Sequence, residues 1–237
     1  MLLSFTSKNY SYPRYHRVSE IISVFLFILY SVLLSIELFR VFLTIDTYFL
    51  FLAIAMIPAG YIAADFASGL VHFLCDNFGT PETPWFGPSF IKSFRDHHTD
   101  PKGITRHDFI EVNGSNCFVS VFVLIPVYYF TPYQYSIAAA LFSVFVLSLI
   151  LFVFLTNQFH KWAHQDSPPA VIKKLQKTGL ILGTDHHAVH HTQPYNKYYC
   201  ITCGWLNPLF TKIKFFEGLE WFITRILRVK KDPGLPE

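Results

Sequence analysis

Ten of the eleven histidines lie just beyond the ends of apolar stretches, and several recur at helical spacing. His160 and His164 form an H-x-x-x-H pair, whose imidazoles share one face of a helix. His187, His190 and His191 form H-x-x-H-H, which offers three imidazoles on neighbouring positions of a helix. Imidazole is a common metal ligand in proteins, so this pattern predicts a metal site.

A second histidine element follows an apolar stretch directly. Asp65, Ser68, His72 and Asp76 recur at helical spacing, which predicts that the helix continues beyond the membrane. Metal-bound histidine usually donates its other N–H to a carboxylate or a carbonyl. Asp76, four residues after His72, is therefore a candidate ligand or a candidate hydrogen-bond partner of one.

The polar segment that follows supplies three more histidines, His97, His98 and His107. Asp108, next to His107, is the second carboxylate that we expect near a ligand. A zinc site uses about three or four ligands. The histidines of this chain are enough for two metals.

The chemistry follows from the metal and from the membrane. Imidazole suits zinc, copper, iron and nickel. Removing hydrogen from an unactivated carbon chain requires a metal and oxygen, because side chains lack that oxidising power. Two irons can share the redox change, whereas zinc would activate water for hydrolysis. We predict two iron ions, molecular oxygen as co-substrate and electrons from an external donor.

The elements that must position these residues are largely apolar. Of the 237 residues, 52% are hydrophobic and only 15% are charged, against about 25% in a typical soluble domain. Membrane-spanning helices are predicted over residues 21–43, 48–64, 117–130 and 136–156. The third is short and contains Pro126. We predict an all-α integral membrane protein with about four transmembrane helices; buried helices of a soluble core are the alternative.

The positive charges predict the topology. Lys8, Arg14 and Arg17 precede the first span, whereas the links 44–47 and 131–135 carry no Lys or Arg. The positive-inside rule then places both termini and the histidine segments 65–116 and 157–237 on the cytoplasmic side. The first span is too long for a cleavable signal peptide, so we expect it to be retained. The prediction is a single domain over residues 1–237, with a cytoplasmic helical cap that binds the metals, in the endoplasmic reticulum of a eukaryote or the inner membrane of a bacterium.

Two further features have simpler interpretations. Residues 212–229 alternate basic and apolar side chains, which predicts a helix lying either in the membrane interface or over the metal-binding cap. Cys200 and Cys203 form a C-x-x-C without a second pair, and we interpret them as ordinary buried residues.

Six motifs resemble the Kua/CarF family of membrane lipid desaturases. They lie at residues 65–72, 94–101, 105–111, 157–164, 186–191 and 199–207. The resemblance implies an iron-dependent enzyme that forms a vinyl-ether double bond beside the ether oxygen of an alkyl phospholipid, as plasmanylethanolamine desaturases do. Plant relatives act instead on an acyl chain of a phosphatidylglycerol.

The resemblance also implies the ligands. The matching positions are His72, His97, His98, His107, His160, His164, His187, His190 and His191. His186 matches as a ligand or as a group that supports one. The chain departs from the family pattern at Phe73, Asp185, Ala188 and Cys203, and these changes bear on the substrate more than on the chemistry.

Several functions remain open from the sequence. The same metals would support an acyl-lipid desaturase or a hydroxylase, while a zinc hydrolase would leave most of the histidines unexplained. A metal-sensing or metal-carrying membrane protein would be expected to place histidines at membrane depth, where this sequence has none. The expected partners are a membrane phospholipid as substrate and an electron donor such as a b-type cytochrome or a ferredoxin. No nucleic acid partner is expected.

Overall fold

The computed structural model describes residues 14–84 and 87–232, so Lys8 lies outside the described residues. This part of the chain is helical and contains no strand. Its α-helices, numbered in chain order, are α1 (Arg14–Phe42), α2 (Thr47–Asn77), α3 (Lys92–Thr99), α4 (Phe109–Phe130), α5 (Ile137–Ala163), α6 (Ala170–Lys177), α7 (Thr184–Ala188), α8 (Leu206–Lys212) and α9 (Phe215–Trp221).

Four of these helices, α1, α2, α4 and α5, are long and apolar enough to cross a membrane, which confirms the predicted class. Their ends extend beyond the apolar stretches because a helix needs backbone hydrogen bonds rather than apolar side chains to continue. The helix α4 begins at Phe109, well before the predicted start at residue 117, and is a full 22 residues long. Asp108 fixes this start, since its carboxylate accepts a hydrogen bond from the Glu111 N–H at 3.0 Å.

The long helices pack in two pairs, α1 along α4 and α2 along α5, and α4 also packs against α5. Gly60 allows the close approach of α2 to α5, because a Cβ there would lie 2.7 Å from the Cβ of Ser148. Leu34, Leu124 and Ala140 are fully buried between helices. Many apolar side chains point outward, as expected where lipid surrounds a bundle.

The polar end of α2 organises the cap that carries the histidines. Asp65 is fully buried, and its Oδ1 accepts hydrogen bonds from the backbone N–H groups of Thr202, Cys203 and Gly204. Its Oδ2 accepts a fourth from the Leu206 N–H. One carboxylate on α2 therefore fixes the segment that leads into α8. Cys200 and Cys203 are both buried in this segment, as predicted.

The tail departs from the prediction of one helix over residues 212–229, which is wrong. Lys214 adopts a left-handed backbone conformation with φ of 55°, so α8 and α9 are separate helices. A single turn of π-helix, Phe222–Ile226, follows α9. Phe216 and Ile223 pack into the cap, whereas Trp221 is 59% exposed.

Candidate metal centre

The histidines converge on two neighbouring groups. The first, called here the histidine group, consists of His97, His160, His164, His187 and His191. The second, called the mixed group, consists of His72, Asp76, His98 and His190. Within each group the candidate ligand atoms lie within 4.8 Å of one another.

The helices supply these side chains by simple spacing. His72 and Asp76 lie one turn apart on α2, and His160 and His164 lie one turn apart at the end of α5. Residues four apart share a helix face, so each pair points into one group. Adjacent histidines instead belong to different groups. On α3, His97 belongs to the histidine group and His98 to the mixed group; in the turn after α7, His191 belongs to the histidine group and His190 to the mixed group.

The spacing of the nitrogens in the histidine group matches that of ligands around one metal. The Nε2 atom of His187 lies 2.9 Å from that of His160 and 3.1 Å from that of His191. The Nε2 atoms of His97 and His191 are also 3.1 Å apart. Two nitrogens at about 2.1 Å from a metal and at right angles are about 3.0 Å apart. The five imidazoles therefore fit a transition-metal ion.

The mixed group has the same compactness and adds a carboxylate. The Asp76 Oδ2 lies 3.1 Å from the His98 Nε2, 3.4 Å from the His72 Nε2 and 3.6 Å from the His190 Nε2. All four side chains are completely buried. Within the described part of the chain, the His72 Nε2 and the Asp76 Oδ1 have no hydrogen-bond partner. Buried polar atoms are normally paired, and a cation here would supply the missing partner.

Backbone carbonyls orient two imidazoles of the mixed group from behind. The His72 Nδ1 lies 3.1 Å from the Tyr199 carbonyl oxygen, and the His190 Nδ1 lies 2.9 Å from that of Lys197. A carbonyl accepts only, so each Nδ1 carries the proton and donates it. Each Nε2 is then left with a lone pair that faces the group, which is the arrangement found behind metal-bound histidines.

Burial keeps the imidazoles of the histidine group neutral. Removal from water lowers the pKa of His97 and of His187 well below the usual value, and neighbouring imidazoles lower each pKa further. The same two causes lower the pKa of His164 to about 4. Neutral imidazole is the form that binds a metal, so these residues are ready to ligate at neutral pH.

The structure brings together eight of the nine predicted ligand histidines, but it does not bring His107 into either group. The His107 Nδ1 lies 3.7 Å from the Glu111 Oε1, and the side chain is 40% exposed. His186 lies outside both groups, and its Nε2 accepts a hydrogen bond from Asn207 at 3.1 Å. Asp108 lies at the start of α4, where it pairs with Arg17 at 2.7 Å.

Sequence reasoning named one further contributor and missed another kind. Asp76, a candidate ligand because of its spacing of four from His72, lies within the mixed group itself. The sequence could not indicate that the carbonyl oxygens of Lys197 and Tyr199 orient ligand histidines, because every residue type offers the same backbone oxygen.

A cavity of about 520 Å³ adjoins the histidine group and contacts His97 and His160. It lies between the start of α1, α3 and the start of α4. Val71, Phe94 and Val112 give it apolar walls, and Glu20, Arg106 and Glu111 give it polar ones. A molecule with both an apolar chain and a charged group would fit such a lining.

Known proteins resemble the part of the chain that holds both groups. A family model for the lipid desaturase domain matches residues 61–232. A plasmanylethanolamine desaturase of Myxococcus xanthus is 48% identical over 173 residues, which are 73% of this chain and 61% of that protein. Plasmanylethanolamine desaturase 1 of Mus musculus is 43% identical over 173 residues, 71% of this chain and 64% of that protein.

A plant protein is also similar. Fatty acid desaturase 4, chloroplastic, of Arabidopsis thaliana is 35% identical over 164 residues, 68% of this chain and 49% of that protein. The chain thus spans between about half and two thirds of the length of these curated relatives. No solved structure matches it significantly.

Proposed function

Because this chain belongs to the lipid desaturase family, we propose that it is a membrane oxidoreductase that desaturates a lipid with two irons and molecular oxygen. The substrate that we propose is a plasmanyl lipid, and the product is a vinyl ether with its double bond beside the ether oxygen. Two relatives named plasmanylethanolamine desaturases support this choice.

One observation carries the proposal: two compact ligand groups lie side by side, and one of them adjoins a cavity of mixed polarity. The histidine group would hold one iron at the cavity wall through His97 and His160, and the mixed group would hold the second behind it. Bound iron would supply the redox chemistry that side chains lack. The buried imidazoles and Asp76 would hold both irons away from bulk water.

The cavity suits a bond that lies close to a headgroup. In a plasmanyl lipid only the glycerol and the phosphate separate the ether carbon from the headgroup. Polar side chains line the same cavity as the ligand candidates His97 and His160, so a headgroup and the reacting carbon can be accommodated together. A bond in the middle of a chain would instead require a long apolar tunnel.

We further propose that the cavity and both ligand groups face the cytoplasm, with both termini on that side. The distribution of Lys and Arg in the sequence supports this orientation. The membrane would be the endoplasmic reticulum in a eukaryote and the inner membrane in a bacterium. A b-type cytochrome or a ferredoxin would supply the electrons.

Acyl-lipid desaturation or hydroxylation is the second candidate. The name of the Arabidopsis relative favours an acyl chain. It would use the same two ligand groups, so only the product distinguishes it.

The test is lipid mass spectrometry of cells that make plasmanyl lipids but lack the desaturase. We expect acid-labile vinyl ethers when the chain is expressed, and none with His164→Ala or His187→Ala, because each change removes a ligand of the histidine group. Metal analysis of the purified protein should give about two irons per chain. Iron without vinyl ethers would contradict the plasmanyl substrate, and zinc in place of iron would contradict the reaction.

A further inference from the structure

Glu20 is a buried carboxylate near the start of α1, at the point where the apolar run begins. It is only 5% exposed, and it lines the cavity that contacts His97 and His160. The next residues of α1 are predicted to enter the membrane, so Glu20 lies at the depth of lipid headgroups. This residue also precedes the region that the family model matches.

The carboxylate of Glu20 is incompletely paired. Among the residues that the structure describes, the Oε2 atom has no hydrogen-bond partner. Nearby basic side chains are engaged elsewhere: Arg17 binds both carboxylate oxygens of Asp108, at 2.8 and 2.7 Å, and Lys161 donates to the His107 carbonyl at 2.6 Å. The negative charge of a buried carboxylate is costly without a partner, and the nearby carboxylates of Glu111 and Asp108 increase that cost. A cationic donor from outside the protein would therefore stabilise the ionised form of Glu20.

The side chain of Glu20 is also held in place. Its stem lies directly on the backbone of α4 at Gly114, where a Cβ would come within 2.5 Å of the Glu20 Cβ. Any larger residue at position 114 would displace Glu20. Gly114 therefore keeps the stem against α4 while the side chain lines the cavity.

We propose that Glu20 determines headgroup specificity by accepting a hydrogen bond from the ammonium group of an ethanolamine phospholipid. Glu111 lines the same cavity and adds negative charge. Arg106 also lines the cavity; one of its nitrogens pairs with Asp100, and the remaining N–H groups of its guanidinium suit the phosphate of the same headgroup. A choline headgroup is cationic too, but its nitrogen carries no hydrogen and cannot donate to Glu20.

This inference rests on the proposed function, but a measurement of lipid binding tests it without requiring the desaturation reaction. The full chain, purified with its metals in detergent, is given diacyl phosphatidylethanolamine, its N-methyl and N,N-dimethyl derivatives and phosphatidylcholine. These lipids lack the ether bond and cannot form a vinyl ether, so native mass spectrometry measures only how much of each lipid stays bound to the protein. Affinity should fall as methyl groups replace the ammonium hydrogens, by about tenfold over the series, which is typical of losing one charge-assisted hydrogen bond. Equal retention of all four would overturn the proposal.

A variant then assigns the preference to Glu20. Glu20→Gln keeps the shape of the side chain but removes its charge, and the preference for phosphatidylethanolamine should be lost. Glu37→Gln is the matched control, because Glu37 lies on the same helix but pairs with Arg40 at the other end. A preference unchanged in folded Glu20→Gln would overturn the assignment. A headgroup preference without vinyl-ether formation in cells supports this site and counts against the proposed reaction alone.

Discussion

Among single residues, Asp76 has the position with the clearest chemical consequence. It places a negative charge among three imidazoles, whereas the neighbouring group consists of histidine alone. A hard oxygen ligand beside neutral nitrogens stabilises the more oxidised state of a metal. Two irons bound there would therefore be chemically different, and Asp76 would ligate the one farther from the cavity.

The first prediction concerns this carboxylate. Asp76→Asn should lower the iron content from about two per chain to about one, because a neutral amide is a much weaker ligand than a carboxylate. Metal analysis of the purified protein measures the change. Asp108→Asn is the control, since that carboxylate caps α4 and pairs with Arg17; it should keep both irons. An Asp76→Asn protein with a full iron content would exclude direct ligation.

His107 gives a second prediction at this scale. The family resemblance implies that it is a ligand, yet its imidazole lies near Glu111 and outside both groups. His107→Ala should therefore retain both irons, while His164→Ala should lose about one. Metal content and vinyl-ether yield are measured together on both variants. Loss of iron in His107→Ala would mean that the loop at residues 103–107 closes onto the metals when they bind.

At the scale of elements, Asp65 joins α2 to the segment that positions the ligands. Its four backbone hydrogen bonds hold residues 202–206, and the carbonyls that orient His72 and His190 belong to residues just before them. A carboxylate that accepts several N–H groups is a strong anchor. The stability of the cap and the orientation of the ligands therefore depend on the same residue.

The prediction at this scale is that Asp65→Asn lowers the free energy of unfolding by about 3 kcal/mol, because an amide NH₂ would face backbone donors. Iron content should fall as well. The thermal unfolding midpoint in detergent measures the first effect. Asp46→Asn, at the other end of α2, is the matched control, because its side chain makes no capping hydrogen bond. Equal midpoints for the two variants would contradict the role of Asp65.

The sequence predicted the helices better than their ends or their partners. Long apolar runs make α1, α2 and α5 evident, but polar residues such as Glu111, Asn113 and Asn116 interrupt the first turns of α4, where Asp108 starts the helix. The i, i+4 pairs were readable because both members lie on one helix. The assignment of His97 and His98 to different groups was not, because it depends on contacts with other segments, His72 and Asp76 before them in the chain and residues 160–191 after them.

At the scale of the whole molecule, the fold combines an apolar bundle with a cap that carries the ligands. Outward apolar side chains such as Phe25, Phe51 and Phe122 are about two thirds exposed, as suits a surface in contact with lipid. The organisation as a single domain over residues 1–237 stays a prediction.

Orientation in the membrane can be tested with introduced cysteines. The four native cysteines are buried, so they should give little background. Lys174→Cys, on exposed α6, should react with an impermeant thiol reagent from the cytoplasmic side. Tyr135→Cys, at a residue that is 89% exposed in the link between α4 and α5, should react from the opposite side. The reverse labelling pattern would contradict the proposed topology.

The order of the ligands along the chain has a consequence for biosynthesis. Both groups include histidines from α7 and the turn after it, and these follow all four long helices. Neither group can be complete on a ribosome-bound chain until the last membrane helix has been made. Loading with metal would therefore be a late event in maturation, and a nascent chain would not carry a finished metal centre while it is still being inserted.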